Sequence, residues 1–469
     1  DGLTAATGLW VKPGVTLTLK PYNPGGGLLS DILLDVRYAL YVEGTIVLGR
    51  RDLAVNGDEA SPDACNLYIG FSDYVDCVVV TATGRIDASG SDVAGGTGGN
   101  GGVVRIYTEG DFLNRGTIDA SGGNGDAGGY GSYLDVYADY GGFYNTGTIT
   151  TAGGTGASGA GGRAGYVEAY TWINPIYNSG TINAAGGDGT TGGGSGDYVD
   201  LNSYYYGGLI NSGSINTSGG KATTSGSGGN AGYIYLGADD GPMRVAGSLT
   251  ARGGDAAAGA GGNGSYIDLE CNSDMPVGTN AVGADIVTSG GDGTTGGSAG
   301  NVYIYNYPYY TTGAGQDHLY VVGYDQINGS GGNGATNGGS ASGDIEIYNY
   351  EGFDGAYAVG SVACDVPLVN RGGNGTTGAG GSGDSVYLDN EYYDGYPATV
   401  NRYLRVSSVD TRGGNGATTG GSGGDFWAGS AYSLSISGTV NTSGGNGGTG
   451  DGGRDGGIWL EAWGPLTNS

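Results

Sequence analysis

"GGNGTTGAGGSGDSVYLDN", residues 372–390, joins a stretch with almost no side chains to a short run in which Val386 and Leu388 alternate with polar neighbours. Alternation with a period of two places one face of a strand inside and the other outside. The stretch recurs. Aligned on the first glycine of its pair, copies begin at Gly90, Gly122, Gly153, Gly186, Gly219, Gly253, Gly290, Gly331, Gly372, Gly413 and Gly444, the copy at Gly90 being degenerate, with spacings of 31 to 41 residues. A period in this range implies a stacked, quasi-one-dimensional architecture.

Two further features keep step with the glycines. Four residues before each anchor stands an aliphatic: Ile86, Ile118, Ile149, Ile182, Ile215, Leu249, Ile286, Ile327, Leu368, Val409 and Val440. After each glycine segment comes an alternating strand, as in Leu134/Val136, Val199/Leu201, Ile267/Leu269 and Ile458/Leu460, whose intervening residues (Asp135, Asp200, Asp268, Trp459) are expected to face solvent. No repeat has helical periodicity, and none is long enough to bury its own apolar face. Equivalent strands of successive repeats are therefore expected to pair in parallel about 4.8 Å apart. The predicted fold is all-β, a right-handed parallel β-helix (β-solenoid), the hand following from the rule for parallel crossovers. A β-sandwich is the rival, but its connections vary, whereas here the long connection is the best repeated part. Residues 1–83 show the alternation without glycine segments and are expected to form the first coils, continuous with the glycine-rich repeats of 84–469.

Within the segments glycine falls every third residue, at Gly372, Gly375, Gly378 and Gly381. Three residues per turn is the period of an extended, polyproline II-like helix. Two readings follow: a second, side-chain-free layer stacked beside the β-helix, or irregular loops using glycine for positive φ. The first resembles the polyglycine II packing of some glycine-rich antifreeze and phage-tip proteins.

Composition narrows the function. Glycine supplies 110 of 469 residues, and 46 acidic against 17 basic side chains leave a net charge of −29. Disorder is disfavoured by 37 tyrosines and regular β-branched residues. Nucleic acid is disfavoured because phosphate binding needs clustered Lys and Arg. No run approaches the roughly 18 apolar residues of a membrane span, and no signal segment follows Asp1, so the chain reads as a mature product. Cys65 and Cys77 are near enough in sequence to suggest a disulfide of an oxidising, extracellular setting, two buried thiols being the alternative. Cys271 and Cys364 have no obvious mate.

The repeated "GG[ND]G" places Asn124, Asp188, Asn333, Asn374, Asn415 and Asn446, with Asp255 and Asp292, at one level of the coil. These read either as a hydrogen-bonded ladder or as oxygen ligands for calcium, the only cofactor the composition suggests. "GGNGDAG", residues 122–128, resembles the calcium-binding glycine-Asp nonapeptides of secreted toxins, though that family's tandem nine-residue period is absent. Tyrosines gather in "NSYYYGG" (202–208), "VYIYNYPYY" (302–310) and "DNEYYDGY" (389–396), a composition suited to glycans, to protein partners or to covering a small-residue shaft. For catalysis, Arg163, Arg252, Arg371 and Arg412 recur near the anchors, Asp239 adjoins Asp240, and His318 stands alone. They form no recognisable constellation, so no enzyme is expected. Sequons occur at Asn216, Asn263, Asn328, Asn374 and Asn441.

Across residues 84–460 the pattern resembles the glycine-rich β-helical repeats of large microbial surface proteins and adhesin passengers. The resemblance implies a secreted or cell-surface structural protein. A filament subunit is the expectation, with a free-standing glycan-binding adhesin as the alternative and a polysaccharide lyase or hydrolase behind both. The termini also resemble a split coil. Pro465, Leu466 and Asn468-Ser469 match Pro175, Ile176 and Asn178-Ser179, while Asp1, Gly2, Leu3 and Ala5 continue it, with Leu3 against Ile182 and Ala5 against Ala184. Head-to-tail self-association by completing that coil is thus expected.

Overall fold

The computed structural model describes residues 3–5, 8–20, 31–49, 62–71, 74–272, 275–277, 284–307, 317–350, 359–390, 403–430, 432–462 and 464–468. These residues contain no helix; three long sheets run the length of the chain. Sheet 1 has 14 strands from Leu3–Ala5 to Ile458–Ala462, sheet 2 has 14 from Gly8–Val11 to Leu466–Asn468, and sheet 3 has 13 from Thr16–Leu19 to Val440–Asn441. Each strand pairs in parallel with its counterpart one repeat on, as Leu134–Ala138 does with Val167–Thr171. One coil visits the sheets in turn, Leu134–Ala138, Phe143–Asn145 and Thr148–Thr150, before a glycine segment returns it to sheet 1. The protein is a parallel β-helix, and the three sheets pass without interruption from the first coils into the glycine-rich repeats.

Strand alternation sends every second side chain inward. In sheet 3, Ile86, Ile118, Ile149, Ile182 and Ile215 lie in one register. Leu249, Ile286, Ile327, Leu368, Val409 and Val440 continue that column. All are essentially buried except Val440, which is partly so. In sheet 2, Phe112 stacks on Phe143 at 5.2 Å. Burying such side chains contributes roughly 1.5–3 kcal/mol each, so each coil is held by its neighbours rather than by itself.

The glycine segments form a second layer in which each is a pair of antiparallel legs. Gly453 N–H donates to the carbonyl of Gly445, Gly445 to Gly421 and Gly421 to Gly414. The relay continues unbroken through Gly194, Gly187 and Gly162 to Gly99, every N···O distance being 2.8 or 2.9 Å. This spine zigzags between legs. Glycines three residues apart bond along the axis instead: Gly122 and Gly125 donate to Ala152 and Thr155 of the next coil, while the spine residue Gly123 donates to Gly99. Three residues per turn aim successive amides in these different directions, which is why glycine recurs in threes. The requirement is space. Among the described glycines only Gly14, Gly70, Gly95, Gly226 and Gly323 have positive φ, whereas a Cβ on the spine residue Gly187 would lie 2.0 Å from the Gly154 oxygen.

Two expectations need correction. Cys65 and Cys77 form no disulfide; both are thiols. Cys65 is buried at the entry to sheet 1, whereas Cys77 opens strand Cys77–Val80 of sheet 2 at an outward, half-buried position, so alternation turns the two away from a common meeting point. Second, Leu3 and Ala5 do not take the sheet 3 positions of Ile182 and Ala184. Strand Leu3–Ala5 belongs to sheet 1, paired with Leu34–Val36. Leu466 and Asn468 do occupy the sheet 2 column of Ile176 and Asn178. Asp1, Gly2 and Ser469 lie outside the described residues.

Candidate functional site

The outer face of sheet 1 is not the open polar surface that alternation predicts. Asp135, Glu168, Asp200, Tyr235 and Asp268 stand in one outward column. On one side of it Tyr133, Tyr166, Tyr198, Tyr233 and Tyr266 stack at 4.7 Å, their planes within 2–6° of parallel. On the other side Tyr107, Tyr137 and Tyr170 stack at 5.2 and 5.5 Å. The coil spacing coincides with aromatic stacking distance, so a tyrosine at a fixed position in successive coils closes over the carboxylates beside it. Asp135 is consequently buried, with its Oδ2 held at 2.6 Å by Arg105 Nε.

Phenol hydroxyls serve several of these carboxylates. Tyr198 donates to Glu168 at 2.5 Å, Tyr170 to Asp200 at 3.2 Å and Tyr235 to Glu270 at 3.1 Å. The Oδ1 atoms of Asp135, Asp200 and Asp268 accept nothing from the protein. Burial, followed by the charge of Glu270, pushes Asp268 up to about 7. Burial also pushes Asp200 up to about 6, with Glu168 adding to it against the Tyr170 hydrogen bond. The signal for this face was a tyrosine one residue before each strand, as in "GSYLDV", "AGYVEAY" and "GDYVDL". The tyrosine-rich runs singled out from the sequence fall only partly within the described residues; of these, Tyr303, Tyr305 and Tyr307 cluster with Tyr348 and Tyr350.

The repeated Asn/Asp position is a ladder. Asn124 Oδ1 accepts the N–H of Thr155, Asp188 that of Lys221, Asp255 that of Asp292 and Asp292 that of Asn333. Asn333, Asn374 and Asn415 accept in turn from Asn374, Asn415 and Asn446. Each side chain thus caps a backbone donor one coil on. Among the described residues no three His, Cys, Asp or Glu side chains converge on a point that could hold a metal ion. A second ladder, of a kind sequence reasoning missed, lies inside: Asn114, Asn145, Asn178 and Asn211 are buried and pass Nδ2–H to Oδ1 at 2.8, 2.8 and 2.6 Å. Its signal was the Asn that precedes each sheet 3 strand in "YNTGTI", "YNSGTI" and "INSGSI".

Of the recurring arginines, Arg252, Arg371 and Arg412 line one groove on the glycine layer. Arg163 lies elsewhere, beside the tyrosine stack, with its guanidinium 3.1 Å from Asp197. Asp239 is raised by burial and then by Asp240. The side chain of His318 lies outside the described residues. Cys364 is buried, and its thiol is pushed up to about 12 by that burial. At the last strands Ile458 and Leu466 are 49% and 56% exposed, although Phe426 and Leu434 in the same columns are wholly buried. No protein-family model, curated protein or solved structure matches the chain.

Proposed function

We propose that this protein is a non-catalytic structural rod of the extracellular space or cell surface, whose copies stack end to end into filaments. The observation that carries the reading is that one coil-to-coil contact, three parallel strand pairs, an aliphatic column and the glycine spine, is repeated along the chain. A heterologous contact that repeats without turning back has no internal stop, and another copy can continue it as an open filament. Backbone pairing and apolar burial would drive that step, while a charge of −29 opposes side-by-side packing. In this reading strands Ile458–Ala462 and Leu466–Asn468, the last of sheets 1 and 2, would face Leu3–Ala5 and Gly8–Val11, the first of the same sheets, in the next copy.

The adhesin alternative draws less support from the tyrosine face. Its rings are stacked upon one another and present edges, which leaves little ring surface for a sugar. Electron microscopy of the purified chain tests the filament reading, with fibres expected. Ile458→Asp with Leu466→Asp alters two exposed side chains, so the rod should fold, yet it would bury charge in a stacked junction. That variant should give isolated rods of roughly 60 Å, thirteen steps at the strand spacing. Isolated rods of wild type at every concentration, or fibres from the variant, would overturn the proposal.

A further inference from the structure

The groove on the glycine layer differs from the rest of this acidic molecule. It encloses about 510 Å³ and runs along the axis between two columns. One wall carries the residue before each anchor, Arg371 and Arg412 among them; the other carries the Asn ladder; the floor is glycine backbone. Volumes of this size are typical of ligand sites.

The ladder fixes what its wall offers. Because the Oδ1 of Asn333 and of Asn415 is held by a backbone N–H one coil on, at 3.0 and 2.8 Å, each amide is oriented with its NH2 turned away from that bond. Among the described residues neither NH2 group donates to another part of the protein. Asn374, on the coil between them, donates its own Nδ2–H to Asn333 Oδ1 at 3.3 Å, so the open donors of Asn333 and Asn415 stand two coils apart, roughly 9.6 Å at the strand spacing. The opposite wall supplies charge in excess of its partner. Arg412 grips Asp410 with Nε and a terminal nitrogen at 2.9 and 2.8 Å, and Arg371 reaches the same carboxylate only at 3.7 Å. Two guanidiniums share one carboxylate, and Arg371 keeps its donors for something else. At the far end of the groove Arg252 is matched by Asp255 at 2.5 Å, and Asp292 belongs to the ladder.

We infer that this groove binds an extended acidic polysaccharide, a polymer of uronic acids, along the axis of the rod. Its carboxylates take the open guanidinium of Arg371 and share Arg412, and its ring and hydroxyl oxygens accept from the Asn row. A donor-lined groove suits an acceptor-rich chain in which every second unit comes round on the scale of two coils. The net charge does not forbid this, since charges beyond about 8 Å are screened at physiological salt. A nucleic acid fits less well, because its phosphates are denser and the groove offers no aromatic ring for its bases. The inference is independent of whether copies stack.

Calorimetry with hexagalacturonate tests it. Saturable binding that weakens with added salt is expected for the wild type, with none for neutral maltohexaose. Arg371→Gln with Arg412→Gln should weaken it tenfold or more. Lys20→Gln, which changes net charge outside the groove, should leave it within twofold. Asn415→Asp keeps the ladder acceptor, as Asp188, Asp255 and Asp292 do at this level, but replaces a donor with a negative charge; it should also cost tenfold, with an unchanged circular dichroism spectrum. Absence of saturable binding, equal binding by the arginine or Asn415 variants, or tighter binding of a twelve-residue oligothymidylate would overturn the inference.

Discussion

Gly192 and Gly194 are two residues apart, and the same substitution should have opposite consequences at them. Gly194 belongs to the spine: its N–H donates to Gly187 and its carbonyl accepts from Gly220, both at 2.8 Å. A Cβ there would lie 1.8 Å from the Gly162 oxygen and 2.5 Å from the Gly162 carbonyl carbon. Ordinary carbon–oxygen contact begins near 3.3 Å, so the legs must part by well over an ångström, and every element that could yield is backbone. Separation breaks both bonds of Gly194 and disturbs those of Gly162. Each buried amide or carbonyl left unsatisfied costs about 1–3 kcal/mol, so Gly194→Ala should destabilise by roughly 4 kcal/mol or more.

At Gly192 the nearest atoms to an added Cβ are 3.8 Å away, φ is not positive, and the preceding coil already carries Ala160 in the equivalent position. Gly192→Ala should be neutral or stabilising by about 0.4–1 kcal/mol through the unfolded chain. Guanidinium chloride unfolding of both variants reads the difference, and hydrogen exchange at Gly187 and Gly220 localises it, because stacked repeats need not unfold in one step. Equal midpoints for the two variants would refute the space-filling account of the glycine layer.

Other outcomes follow from the same packing. Asn145→Ala breaks two bonds of the buried ladder and leaves Asn114 and Asn178 each short of a partner, so a loss of about 2–5 kcal/mol is expected in denaturant melts. Ile182→Asp places a carboxylate in the wholly buried sheet 3 column and should abolish soluble folded protein; a cooperatively melting variant would contradict the register. Asp200 and Asp268 titrate above their unfolded values, so their contribution to stability is fully present below about pH 4 and is lost as pH rises through about 6 and 7. The melting temperature should fall between pH 5 and 8, and Asp268→Asn should flatten that slope.

The parallel β-helix was legible in the sequence because its causes are local and repeated. A period-two strand, an aliphatic four residues before each glycine pair and a recurrence of 31 to 41 residues favour stacking over a sandwich as the way to bury the apolar face, and backbone pairing then sets the interval. The threefold glycine period was visible as well, but a lattice and a set of loops use the same residue, and only the neighbouring leg, 1.8 Å from where a Cβ would be, distinguishes them. What depends on which coils become neighbours was not legible. Cys65 and Cys77 are close in sequence yet turn apart because they enter different sheets. Leu3 matched Ile182 as a residue type, but its sheet is decided by the strand that precedes Gly8–Val11 in the winding order. Asp135 alternates outward and is buried nonetheless, because tyrosines stacked across coils close over it. Arg371 and Arg412, 41 residues apart in sequence, meet at one carboxylate because a coil brings its beginning back beneath its end, and no local pattern records which charges that return will bring together.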